Sequence, residues 1–144
     1  MRKITTLIAL ITIITAGFTS CKKSNDKVDD ETAMLMNKNW KITARTVTPE
    51  LFAVDLLPCE KNNLYNFNAH NVFVFDEGPT KCSPSVPQTK TGTWSYNTTT
   101  KKLLIQAGDK TEITVTELTN DTFKGIYIKN PFGTSLTYNV TFSL

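Results

Sequence analysis

From Asn39 to the C-terminus, side-chain polarity switches at almost every second residue, and few architectures accept that pattern for so long. Trp40, Ile42 and Ala44 alternate with Lys41, Thr43 and Arg45, and Tyr65 and Phe67 with Asn66 and Asn68. Phe73 and Phe75 lie on one side of the next run, with Val72 and Val74 on the other. Gly92, Trp94 and Tyr96 oppose Thr93 and Ser95, while Leu103 and Ile105 share a face, as do Ile113 and Val115. Phe123, Gly125 and Tyr127 form another set. The last run is the cleanest, with Leu136, Tyr138, Val140 and Phe142 set against Thr137, Asn139, Thr141 and Ser143. A period of two is that of a strand with one face buried and one in water.

Turn-forming residues separate these runs: Asn68-Ala69-His70-Asn71, residues 97–100, Gly108-Asp109, Asn120-Asp121 and Asn130-Pro131-Phe132-Gly133. Connections this short join neighbouring antiparallel strands. The reading is all-β, with about eight strands in up-and-down order closing into a barrel, which removes exposed sheet edges. Upstream, residues 31–38 carry Ala33, Met34, Leu35 and Met36 among polar neighbours. They predict a short helical turn, capped by Asp29 or Asp30, that covers one end of the barrel.

Two connections are longer. Residues 48–62 include Leu51, Phe52, Val54, Leu56 and Leu57, an apolar content unusual for a loop, and residues 77–88 carry Pro79, Pro84 and Pro87. Cys59 ends the first and Cys82 lies in the second. In an exported chain this pair is expected as a disulfide tying the two loops together. The other reading, a metal site, has only His70 to add and no CxxC or HxxxH spacing.

Export is read from the N-terminus. Arg2 and Lys3 precede an apolar run to Phe18, and Thr19-Ser20 puts small residues before Cys21. This is the layout of a secretory signal peptide, shorter than the roughly 20 apolar residues of a membrane span. Small residues directly followed by cysteine also resemble a bacterial lipobox, in which the cysteine is acylated. The expected organisation is a lipoprotein signal peptide at 1–20, a tether at 21–31 and one domain at 32–144. The membrane is then a partner through lipidated Cys21, and the expected location is the outer membrane, facing the periplasm or the cell surface. Losing Arg2 and Lys3 leaves 14 basic residues against 13 acidic, a net charge of +1. So small a charge gathers no nucleic acid. The sequence gives no ground for an oligomer, and a monomer is expected.

The stretch 59–96 carries a family resemblance. Pro58-Cys59-Glu60-Lys61, Tyr65-Asn66-Phe67-Asn68-Ala69, Lys81-Cys82, Pro87-Gln88-Thr89 and Thr91-Gly92-Thr93-Trp94 resemble, in this order and spacing, the lipocalin-like domain of small Gram-negative lipoproteins. Trp40 matches that family's first-strand tryptophan and Glu117-Leu118-Thr119 its late strand and turn. The resemblance implies a lipocalin or calycin-like barrel and no established activity. His70-Asn71 stands where the family usually has Asp-Gly.

Catalysis finds little support. His70 is the only imidazole and sits in a turn, and Asp76, Glu77 and Glu50 read as solvated loop acids. No enzyme activity, metal or cofactor is expected. The inward face is rich in rings, and Trp40, Phe52, Tyr65, Phe67, Phe73, Trp94, Tyr96, Tyr127 and Tyr138 are the candidate ligand-binding residues. A barrel of this size is either filled by its own side chains or holds one small hydrophobic ligand. A third reading is a scaffold that presents its apolar loop to a protein or glycan.

Overall fold

The structure, a computed structural model, describes residues 29–50 and 55–144. The signal peptide, Cys21, Leu51, Phe52 and Val54 lie outside the described residues.

Helix α1 (Asp30–Leu35) is followed by β1 (Lys41–Thr48), β2 (Leu64–Phe67), β3 (Val72–Asp76) and β4 (Thr89–Asn97). Then come β5 (Lys102–Ala107), β6 (Asp109–Leu118), β7 (Thr122–Lys129) and β8 (Leu136–Ser143). The eight strands form one antiparallel sheet in the order β1-β8-β7-β6-β5-β4-β3-β2. Its two ends meet at Trp40 and Tyr65, each of which donates its N–H to the other's carbonyl, at 3.1 and 2.8 Å. The sheet is therefore a closed barrel, as the strand rhythm predicts.

Helix α1 covers one end. Asp29 caps it, its carboxylate accepting from the Glu31 N–H at 3.2 Å. Leu35 is fully buried, and its carbonyl accepts the Trp40 indole N–H at 2.9 Å. The segment around the helix is fastened to the end of β2 and to two turns at this end. Asn37 donates to the Phe67 carbonyl at 2.8 Å, Glu31 pairs with Lys101, and Lys38 Nζ donates to the Asn120 carbonyl. The β2–β3 turn takes a left-handed backbone at both His70 (φ 58°) and Asn71 (φ 60°). Asp-Gly or Asn-Gly usually supplies that geometry. Trp94 holds this turn from inside, its indole N–H donating to the Asn68 carbonyl at 2.8 Å.

Behind the helix the barrel is filled with rings. Phe123 stacks on Phe142 with centroids 4.2 Å apart and meets Trp40 edge-on at 5.0 Å. Phe67 packs against Trp94 at 5.3 Å and Phe73 at 5.4 Å. Contacts of this kind add about 0.5–1.5 kcal/mol per pair to the burial itself. Gly92 lets β4 and β5 close here, because a Cβ at that position would lie 2.0 Å from the Gln106 carbonyl oxygen.

The other end carries the long connections. Cys59 and Cys82 are joined there, with an S–S distance of 2.07 Å and Cα atoms 5.1 Å apart. A loop of this length is worth about 3–4 kcal/mol in the chain-entropy account. The loop acids are not all solvated as expected. Glu77 is 8% exposed and accepts the Cys82 N–H at 3.2 Å. Asp76, half-buried, accepts from the Gly78 N–H and the Gln88 amide, both at 2.7 Å. Both carboxylates shape the 77–88 loop because its backbone N–H groups have no strand to bond.

Phe123→Ala should cost about 3–5 kcal/mol in urea unfolding, whereas Val72→Ala, on the outer wall, should stay within about 0.5 kcal/mol.

Candidate functional site

The barrel is packed in its α1 half and hollow in the other. A cavity of about 300 Å³ lies at the loop end, walled by Tyr65, Phe73, Phe75, Ile105, Ile113 and Tyr127, with Ile42 and Phe142 against it. Lys90, Ala107, Asp109, Thr111 and Lys129 form its rim. The volume is at the low end of the roughly 300–1,000 Å³ typical of small-molecule sites.

The structure divides the candidate ligand-binding residues into two groups. Tyr65, Phe73 and Tyr127 line the cavity. Trp40, Phe67 and Trp94 do not, because their registers place them at the level of α1, where they form the packed half. Tyr96 is also drawn away, its hydroxyl donating to Glu31 Oε2 at 3.0 Å beside the helix. Tyr138 stands behind the wall's lining, stacked on Tyr127 at 4.8 Å with the rings 1° from parallel. Phe52 lies outside the described residues.

Burial pushes the Tyr127 hydroxyl up to about 12, and burial likewise raises that of Tyr65. Tyr96 is pushed up to about 12 by burial and by its bond to Glu31. All three keep their proton at neutral pH, leaving polar but uncharged tips on apolar bodies.

Arg45 is the residue that sequence periodicity misplaced. A β-bulge between Ile42 and Ala44 inserts one residue against β8, and every later side chain on β1 changes face. Ala44 therefore faces out, and Arg45 comes inside opposite Val140. Its guanidinium meets Glu60 in a two-point pair, Nη1–Oε1 at 2.8 Å and Nη2–Oε2 at 3.0 Å. The side chains are only 14% and 27% exposed. Glu60 Oε2 also accepts the Leu57 N–H at 2.9 Å. The neighbouring Cys59 disulfide fixes the loop that carries this carboxylate. The pair thus closes the β1–β2 side of the barrel mouth. No glycine or proline marks the bulge, so the inward turn of Arg45 had no signal in the sequence.

The rim brings together Lys90, Lys129, Asp109 and Thr111. Among the described residues, no group of three or more His, Cys, Asp or Glu is gathered that could hold a metal. His70 is exposed in its turn at the far end.

The family model described as a lipocalin-like domain matches residues 36–125. The chain belongs to the lipocalin-like domain family. No curated protein matches it. The matched span runs from the segment after α1 into β7, and β8 completes the lipocalin-like barrel by filling the place between β7 and β1. The family is typically a binding fold rather than a catalytic one.

The Arg45–Glu60 pair sets an acid dependence. The Arg45 guanidinium holds the Glu60 carboxyl below its ordinary 4.5. Its contribution is therefore present above that value and disappears as pH falls through the lowered one. Arg45 shifts upward, held by the same carboxylate, so its contribution is lost only in strong alkali. Glu60→Gln should cost about 1–3 kcal/mol at neutral pH, between the exposed and buried limits for ion pairs. It should also flatten the acid limb of stability between pH 5 and 3, read by urea unfolding at each pH; parallel limbs in the two proteins would remove the pair from this role.

Proposed function

We propose that this lipocalin-like domain binds one small hydrophobic or amphiphilic molecule in the loop-end cavity, and that acylated Cys21 tethers it to the outer membrane. The observation that carries the first part is the hollow half of the barrel. Aromatic and aliphatic walls surround about 300 Å³ of space, while the buried rings of the other half pack against one another. Apolar walls favour a ligand's apolar part by about 25 cal/mol per Å² removed from water. The tyrosine hydroxyls and the charged rim supply the few polar contacts that orient a bound molecule.

The anchor is supported by the N-terminal charges, the apolar run and the small residues before Cys21. Cys21→Ala should abolish incorporation of labelled palmitate. Labelling that persists would defeat this part of the reading.

Ligand binding is tested with 1-anilinonaphthalene-8-sulfonate, whose fluorescence rises in apolar surroundings. The sample is the mature chain from position 21 with Cys21→Ser, which carries neither the apolar signal segment nor the acyl group. Saturable binding and displacement by dodecanoate are expected. Ala107→Phe, which fills the rim, should weaken the probe by about tenfold or more with an unchanged unfolding midpoint. No saturable fluorescence would instead favour a scaffold that presents its loops.

A further inference from the structure

β6 and β7 are ten and eight residues long, yet they share only four register pairs. The ladder from the helix end stops at Thr114 and Ile126. In the same register Ile113 would face Tyr127, Glu112 would face Ile128 and Thr111 would face Lys129, and none of these rungs forms. Each strand is nonetheless paired on its other side up to the loop end, β6 with β5 through Asp109↔Ala107 and β7 with β8 through Lys129↔Leu136. The wall there lacks backbone rungs between two well-held edges, and side chains close it.

Side chains fill this seam. Ile113 occupies the space over Gly125, where a Cβ on the glycine would lie 2.4 Å from Ile113 Cγ2. Tyr127 lies flat on Tyr138 of β8. The seam is recessed on both faces. The interior cavity and an outer groove of about 390 Å³ share Thr111, Tyr127 and Lys129. Ile128, 63% exposed, gives the outer lip an apolar step.

Charge around the slot is unequal. Lys90 and Lys129 line the cavity side, and Lys110 and Lys129 the outer groove. Against them stand Asp109 and a Glu112 that is already held by Lys102 at 2.5 Å. On the far side of the mouth stand the Arg45–Glu60 pair and the Cys59–Cys82 disulfide.

Resting on the reading of the cavity as a binding site, we infer that its ligand passes sideways through the β6–β7 slot. The ligand is a single-chain amphiphile with an anionic head. Its chain lies between Ile105, Ile113 and Tyr127, and its head rests at Lys110 and Lys129 on the outer wall.

The test closes the slot. Glu112→Cys/Ile128→Cys in the Cys21→Ser chain places two thiols on opposite lips, to be bridged by a short bis-maleimide. The native disulfide is left intact. Stopped-flow association of 1-anilinonaphthalene-8-sulfonate is compared before and after bridging in one folded sample, with each single-cysteine variant capped by N-ethylmaleimide as a control. Bridging should slow association and release by about tenfold or more, or stop uptake, while the capped controls keep the parent rates. Unchanged rates after bridging would overturn the lateral route while leaving the cavity as a binding site. Absence of probe binding in the parent would overturn both. Dodecanoate should displace the probe at about tenfold lower concentration than dodecyltrimethylammonium, and Lys110→Glu/Lys129→Glu should remove that preference. Equal displacement by the two heads would overturn the anionic assignment.

Discussion

Trp40 holds the structure together at the point where the barrel must close. Its backbone exchanges hydrogen bonds with Tyr65 and joins the first strand to the second. Its indole N–H reaches the Leu35 carbonyl and fixes the helix over the same end. Its ring meets Phe123 edge-on and so reaches the opposite wall. One buried residue thus takes part in sheet closure, helix docking and core packing together. Without the seam, β1 and β2 would each offer a row of unpaired backbone groups to other chains.

Packing one half tightly leaves the other half underfilled. Six large side chains, Trp40, Phe67, Phe123, Phe142, Leu35 and Leu103, are fully buried, and the rings among them gather towards α1. Beyond them, the loop-end cross-section is lined in part by small or half-buried residues such as Ala107 and Thr111. The bulge in β1 adds to the asymmetry by placing Arg45 where a hydrophobe would otherwise sit. Its charge is tolerated because the disulfide-restrained loop delivers Glu60 to it. The cavity is therefore bounded by packed rings on one side, by a fixed ion pair on another, and by a wall whose rungs are missing on a third.

Much of this was legible in the sequence, for local reasons. Period-two patterning needs only a strand's own residues, and each expected strand is present, with Val140 and Phe142 inward and Val72 outward. The cysteine pair was legible because an exported chain with two cysteines in long loops has an obvious use for them. Depth along the barrel axis was not legible, because it depends on register between strands. Trp94 and Tyr65 look alike in the sequence, yet one meets the β2–β3 turn and the other the cavity. The inversion of Arg45 by a single bulge, the burial of Glu77 and the missing β6–β7 rungs are all relations between distant segments. None leaves a mark in local composition.

The central claim is that one interior has a solid half and a hollow half. It is tested most directly by mapping methyl chemical shifts in the labelled Cys21→Ser chain during titration with 1-anilinonaphthalene-8-sulfonate. The account predicts saturable shifts at the Ile42, Ile105 and Ile113 methyls, with Leu35 and Leu103 unmoved. Shifts appearing first at Leu35 and Leu103, or spread evenly through the core, would contradict it.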